Sequence, residues 1–308
     1  MESPLRVDAA GEPLRAIFTH AHPDDESSKG AATMARYSRE GARVVVVTLT
    51  GGERGEVLNP KLDRPEVWEN LAQIRREEMD RAREILGVEQ IWLGYEDSGF
   101  TLEEPWPPMP PGSLAATDPE VAGAKLAAII RQIKPHVVVT YDEKGGYPHP
   151  DHIMTHRVTM AALAIAADPA RDDVAGQPWE TPKVYYHMGM HRARFARLDE
   201  LMHEHGLESP YAERLANWPD DDEMAGRLTT FVPAADYFEV RDDALRAHAT
   251  QIDPDGFWFA VPLEIQKKGW PTEDYELVSS LVETSVPEDD LFAGLAFPCP
   301  ASADDWRI

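Results

Sequence analysis

Leu14-Arg15-Ala16-Ile17-Phe18-Thr19-His20-Ala21-His22-Pro23-Asp24-Asp25-Glu26 is the stretch from which the rest of this 308-residue chain can be read. Its first seven residues are short, largely apolar and suited to a buried strand. Its last five place a histidine and three acids directly beyond that strand's end. Working outward, Arg43–Thr50, Gln90–Leu93 and His136–Tyr141 read as further strands, the first of them built around Val44-Val45-Val46-Val47. Between them, Glu26–Glu40, Pro65–Leu86 and Asp118–Lys134 carry spaced apolar positions and good helix formers. Gly41 and Gly87 stand where helix-ending glycines belong, and Pro135 stops the third helix just before its strand. Strand and helix in alternation predict an α/β fold, a mostly parallel sheet with helices on both faces.

Beyond about Ala167 the rhythm loosens. Arg194–His205 and Asp236–Gln251 still read as helices, while prolines and Asp220-Asp221-Asp222 interrupt the pattern. The five prolines of Glu103–Gly112 predict a stiff loop able to wall or cover a site. With no repeat and no low-complexity linker, the expectation is a single domain. Its core spans about 14–190, a C-terminal elaboration about 191–283, and a disordered tail 284–308.

The charge balance narrows the function. Thirty Lys and Arg stand against 55 Asp and Glu, a formal charge of −25. Phosphate neutralisation needs a cationic face, so nucleic acid is excluded as the main partner, and so is a polybasic membrane-surface role. The lone cysteine, Cys299, has no internal disulfide partner. Glu2, Asp8 and Glu12 leave no apolar core for a secretory signal, and no apolar run approaches a membrane span. The expectation is a soluble, cytoplasmic protein. Nothing in the sequence indicates an oligomeric state.

Two clusters carry chemistry. His20-Ala21-His22-Pro23-Asp24-Asp25-Glu26 follows the first strand, and Tyr147-Pro148-His149-Pro150-Asp151-His152 follows the fourth. In an open parallel sheet, ligands bind beyond the carboxyl ends of the strands, so these loops can meet. Taken alone, the acids of the first cluster would merely cap a helix, and the histidines would be polar loop residues. Two His-Pro-Asp tripeptides, each at a strand end, point instead to a metal site. Imidazoles and carboxylates without thiolates suit a catalytic centre better than a structural one. The pattern by itself does not name the ligands.

Ala21-His22-Pro23-Asp24-Asp25-Glu26 and His149-Pro150-Asp151-His152 resemble the two signature motifs of the LmbE/PIG-L family of metal-dependent N-deacetylases and amidases. The resemblance extends to Thr50-Gly51-Gly52-Glu53-Arg54-Gly55-Glu56 and to Arg241–Asp253. It implies a Rossmann-like fold and cleavage of an amide on an amino sugar. Within the family the likeness is to the amidase branch, whose substrate is a small pseudo-disaccharide thiol conjugate, an S-conjugate of mycothiol, cleaved in thiol detoxification. The alternative it implies is the deacetylase branch, acting on the N-acetyl group of the inositol-linked sugar. A non-catalytic sugar-binding protein on the same fold is the reading from another class, which retention of Asp24 disfavours.

Carried over residue by residue, the resemblance makes His22, Asp25 and His152 the metal ligands and Asp24 the general base. His149, oriented by Asp151 and favoured as an imidazolium, would supply a proton and a donor to the oxyanion. Tyr147 would help hold that oxyanion. The cofactor is Zn2+, with Fe2+ equally compatible with histidine and carboxylate ligands. Arg75 and Asp97 match positions that grip sugar or inositol hydroxyls, although a surface salt bridge is the ordinary reading of Arg75. Lys29 is either a substrate-recognising lysine or an exposed first-turn residue. Trp106, Pro107, Pro108 and Met109 are candidates for a wall beside the acyl group. Gly51–Glu56 lacks the Gly-Lys-Ser/Thr ending of a phosphate loop, and His248 reads as a packed core histidine. His187 and His191 read as pocket or surface residues.

Overall fold

The computed structural model describes residues 6–8, 10–100, 107–218 and 224–295. Seven strands form one sheet: β1 Arg15–His20, β2 Arg43–Thr50, β3 Glu89–Tyr95, β4 Val137–Thr140, β5 Lys183–His187, β6 Thr230–Pro233 and β7 Thr272–Ser280. Their order is β3-β2-β1-β4-β5-β7-β6. β1 to β5 are parallel, and β7 and then β6 extend the β5 edge in antiparallel fashion. Chain order reverses between β1 and β4, so a crevice opens beyond their carboxyl ends. The helices are α1 Asp25–Ser28, α2 Ala31–Arg39, α3 Pro65–Glu69, α4 Leu71–Leu86, α5 Pro119–Ile133, α6 Pro150–Ala167, α7 Arg192–Glu204, α8 Ala212–Ala216, α9 Phe238–Ala247 and α10 Leu263–Gly269.

The expected two-sided sheet is present. Successive strand side chains point to opposite faces, so a strand covered on both sides must be apolar throughout. In β1, Ala16 and Phe18 join a core with Met34 of α2, Met79 of α4 and Ala244 of α9. Ile17 faces the other way, onto Leu126 and Ile130 of α5 and Val158 of α6. The valine run of β2 divides likewise: Val44 and Val46 serve the first core, Val45 and Val47 the second.

Two long helices of the sequence reading are each broken in the structure. The expected Glu26–Glu40 helix becomes α1 and α2, separated by Lys29 and by Gly30 at φ +84°. A side chain at Gly30 would press on His187, Tyr275 and Phe18 at 3.1–3.3 Å, so the break lets the chain pass close over β5 and β7. The expected Pro65–Leu86 helix is interrupted at Asn70. The third runs as expected, with Asp118 capping α5 by accepting a bond from Glu120 N–H.

The chain beyond Ala167 supplies β5, β6, β7 and α7 to α10. β7 reads Thr-Glu-Asp-Tyr-Glu-Leu-Val-Ser-Ser, too polar to announce a strand locally. The expected disorder from 284 does not hold through Leu295. Leu291 and Phe292 are fully buried in the first core, and the Glu288 carboxylate is buried against Lys183 Nζ at 2.5 Å. Residues 296–308, including Cys299, lie outside the described residues, as do Trp106 and Asp220-Asp221-Asp222. No helix among the described residues is long and apolar enough to cross a membrane.

Candidate active site

The loops after β1 and β4 meet at the switch point, about 130 residues apart in sequence but in van der Waals contact. The His22 and His149 rings are 4.6 Å apart between centroids, and His149 and His152 stack at 5.0 Å. His22 presents Nδ1 to Asp25 Oδ2 at 3.4 Å, and His152 presents Nε2 to the same oxygen at 3.3 Å. His152 is fixed from behind, by Nδ1 against Gly145 O at 3.0 Å and by Tyr141 stacked on its ring at 4.4 Å. Gly145 must be glycine here: a Cβ would fall 2.7 Å from His152 Cβ, at a φ of +76°.

The first motif is braced by distant parts of the chain. Glu26 accepts Asp24 N–H at 3.0 Å and meets His248 Nε2 at 2.6 Å. Both Glu26 and His248 are fully buried. Gln251 Nε2 donates to Pro23 O at 2.8 Å, and Thr250 is held through both N–H and hydroxyl by Glu78 of α4. Clamped in this way, Asp24 adopts φ +103°, a left-handed conformation that a non-glycine residue keeps only when its surroundings impose it. Burial and the adjacent Asp25 carboxylate push Asp24 up to about 7, against the pull of His248 and Lys29.

Several sequence expectations change at this point. Asp151 does not orient His149. Its carboxylate accepts from Ser98 N–H at 2.8 Å and from the Ser98 hydroxyl, and lies 3.3 Å from His22 Nε2. His149 instead caps α6, its Nδ1 accepting Asp151 N–H at 3.1 Å, while Phe100 stacks on its ring at 4.9 Å. Burial and the neighbouring His22 and His152 rings hold its pKa down at about 2, so the expected imidazolium gives way to a neutral ring. Burial lowers His22 too, but hydrogen bonds to Asp151 and Asp25 and the charge of Asp97 outweigh it, leaving that ring well above its ordinary value.

Lys29 is neither exposed nor free. Its Nζ bonds Asp25 Oδ1 at 2.6 Å and Ser28 Oγ at 3.1 Å. Arg75 is not a surface residue either, being 1% exposed. Its guanidinium donates to the carbonyls of Gly52 and Glu56 and thereby shapes the glycine-rich loop. Asp97 accepts the N–H groups of Arg54 and Gly99 and stands 3.7 Å from His22 Nε2. Tyr147, 45% exposed, stands edge-on to His152 at the rim.

A cavity of about 450 Å³ opens beside Asp24 and Asp25 and is lined also by Lys29, Tyr141 and Tyr147. Arg75 and Asp97 are not among its lining residues. Its far wall comes from the chain beyond β5, through Met188, Met190, Phe195, Tyr211, Phe257 and Trp258. The proline loop was the expected wall, yet Pro107 and Pro108 are exposed and Pro107, Pro108 and Met109 do not line the cavity. Ser98, Phe100, Tyr141 and the far wall were missed by sequence reasoning. Their single-letter context carries no signal; only contacts across the fold identify them.

The residues fit a divalent metal. Buried His152 Nε2 lies 3.3 Å from Asp25 Oδ2 without a hydrogen bond, while its other nitrogen is engaged, so this nitrogen faces the His22–Asp25 cluster free to ligate. Donor atoms of His22, His149 and His152 lie within 4.8 Å of one another, as do those of His22, Asp97 and Asp151. Asp97 and Asp151 are already bonded to backbone N–H groups. The nitrogen and carboxylate donors suit zinc or iron(II).

Comparison with known proteins shows the family. A family model described as GlcNAc-PI de-N-acetylase (PIG-L) matches residues 17–163. The mycothiol S-conjugate amidase of Streptomyces coelicolor is 56% identical over 285 residues, covering 92% of this chain and 97% of that protein. The 1D-myo-inositol 2-acetamido-2-deoxy-alpha-D-glucopyranoside deacetylase of Streptomyces scabiei is 40% identical over 303 residues, 92% of each chain. Among solved structures, N,N'-diacetylchitobiose deacetylase from Pyrococcus horikoshii superposes with a TM-score of 0.57 at 20% identity, covering 86% of this chain and 83% of that one. At that identity the likeness speaks for the fold alone.

Proposed function

The chain belongs to the PIG-L (GlcNAc-PI de-N-acetylase) family, and from that premise we propose that it is a metal-dependent amidase that hydrolyses S-conjugates of mycothiol. The products are an N-acetylcysteine S-conjugate and the glucosaminyl-inositol amine. The observation that carries the reading is the cavity running from Asp24 and Asp25 into a methionine- and aromatic-lined wall. A bare acetyl group needs no such volume, whereas a cysteinyl group with a bulky sulfur substituent does. The 56% identity to the Streptomyces coelicolor amidase supports the same branch.

His22, Asp25 and His152 would hold the metal, zinc or iron(II), which when bound polarises the scissile carbonyl as a Lewis acid. Asp24, beside this cluster and lining the cavity, takes a proton from the attacking water and returns it to the leaving nitrogen as the C–N bond breaks. His149 accepts a backbone N–H at Nδ1 and therefore carries its proton at Nε2. From there the neutral ring donates to the developing oxyanion, kept in plane by Phe100, with Tyr147 at the rim as a second donor. Asp151 acts through His22, and Lys29 through Asp25, as positioning residues. Arg75 and Asp97 act on substrate only through the glycine-rich loop they hold. A cytoplasmic setting and a detoxification role follow from this substrate.

Parallel assays on a mycothiol S-conjugate and on the inositol-linked N-acetyl sugar test the proposal. A higher kcat/KM for the conjugate is expected. Equal or reversed preference would assign the chain to the deacetylase branch.

A further inference from the structure

Of the cations that line the cavity, Lys29, Arg194, Arg214 and Arg241, Arg194 is the partly buried one with no ion pair among the described residues. Arg194, in the first turn of α7, lines the far wall together with Met188, Met190, Phe195, Tyr211 and Phe257. The only hydrogen bond of its guanidinium among the described residues is from Nη1 to Gly189 O, at 3.3 Å, and it has no ion pair there. The other charges around it are answered. Arg241 is bonded to Asp242 and Gln266, and Lys29 to Asp25. Asp274 accepts from Trp270 and lies 2.8 Å from His191 Nε2, and Glu273 accepts the N–H groups of Ala32 and Thr33 at the start of α2. Arg214, mostly exposed, lies over the rings of Phe195 and Trp218.

Withdrawing a guanidinium from water without a bonded anion is unfavourable: burial and nearby Arg241 pull partly buried Arg194 below its ordinary value, and the Asp274 and Glu273 carboxylates, engaged elsewhere, offset this only in part. Such an arrangement is explained when the missing partner is the ligand. A planar guanidinium with unused donors matches a carboxylate, which it can grip through two parallel bonds. The surrounding thioethers and rings match an apolar or aromatic body, since methionine adapts its shape and aromatic faces stack. Both features lie on the wall that the proposed function gives to the acyl side.

We propose that Arg194 forms a carboxylate subsite for the sulfur substituent, so that the enzyme selects conjugates whose apolar or aromatic S-group ends in a carboxylate. The inference rests on the amidase reading and names a substrate class within it. Such substrates arise when a thiol adds to an electrophile that itself bears an acidic group.

The test compares the S-benzyl conjugate of mycothiol with its S-(4-carboxybenzyl) analogue. The wild-type kcat/KM should favour the carboxylate by about tenfold, the scale of one charged hydrogen-bonded contact. In Arg194→Leu that ratio should fall to about one, and Arg194→Lys should keep an intermediate ratio, because a point charge retains attraction without the fork. Reading a ratio within each variant separates recognition from any general loss of folded enzyme. A wild-type ratio near one, or a ratio unmoved in both variants, overturns the subsite and leaves the amidase reading standing. Hydrolysis of neither conjugate overturns that reading, and this inference with it.

Discussion

The Asp151 carboxylate turns to His22 and not to its chain neighbour His149: its Oδ2 lies 3.3 Å from His22 Nε2, while Ser98 holds both carboxylate oxygens from the other side. This pair assigns the imidazole's two nitrogens. Nε2 is turned to Asp151, which leaves Nδ1 facing Asp25 Oδ2. A carboxylate behind a ligating histidine fixes the ring and raises its basicity.

Removing that carboxylate should therefore act on metal affinity. Asp151→Ala is expected to weaken metal binding by about 10–100-fold, as loss of such outer partners generally does. Competition against a chelator of known affinity measures it. A variant that holds metal as tightly as wild type would detach Asp151 from His22's function.

Chelation should abolish turnover, and His152→Ala should lower bound metal per chain, because its Nε2, without a hydrogen bond, faces the cluster free to ligate. Elemental analysis alongside activity decides this. Full activity in metal-free protein would sink the assignment.

Asp24→Ala and His149→Ala should each retain metal and lose about 10²–10⁴-fold in kcat, the usual contribution of a positioned proton-transfer group. Near-wild-type turnover in either variant, with metal bound, would remove that residue from the chemistry.

Stability should depend on the segment past Glu283. The Glu288 carboxylate is buried against Lys183 and also receives the Tyr185 hydroxyl at 2.9 Å. Glu288→Leu leaves the ammonium unpaired and should cost about 3–5 kcal/mol in denaturant unfolding. A loss below about 1 kcal/mol, the worth of an exposed pair, would contradict the burial of this contact.

His136 predicts a pH effect away from the active site. Its Nδ1 accepts Arg15 N–H, and burial with the Arg15 guanidinium holds its pKa down at about 4, with Asp8 opposing weakly. The unfolded ring titrates near 6.5, so between 6.5 and about 4 the unfolded state binds the extra proton. Its stability contribution is thus complete above 6.5 and lost as pH falls through that window. His136→Gln should flatten the pH dependence of unfolding there relative to wild type. Identical slopes for the two proteins would refute it.

Much of this protein was legible in one dimension because its signals are local. Strand and helix periods, the Val44–Val47 run and Pro135 are read within a few residues, and they yielded four of the five parallel strands almost to their boundaries, β5 being missed. The two His-Pro-Asp tripeptides at strand ends could be joined on paper, since parallel topology puts all those ends on one side. The breaks at Gly30 and Asn70 were missed, because what interrupts the helix at Gly30 is close packing against His187 and Tyr275 rather than any failure of helical pattern.

What the sequence determined alone was most of the sheet's parallel core and the meeting of the two loops that carry its His-Pro-Asp tripeptides. What only the tertiary structure decided was whom each polar group answers. Asp151 turned to His22, Arg75 went inside to hold the Gly52 and Glu56 carbonyls, and Glu26 found His248, 222 residues away. Among the described residues, the cavity wall likewise came from the chain beyond β5, and not from Pro107, Pro108 and Met109. The physical reason is that a strand or helix arises from bonds between near neighbours, whereas a buried charge or imidazole must find its partner wherever packing brings one, and no local period records that choice.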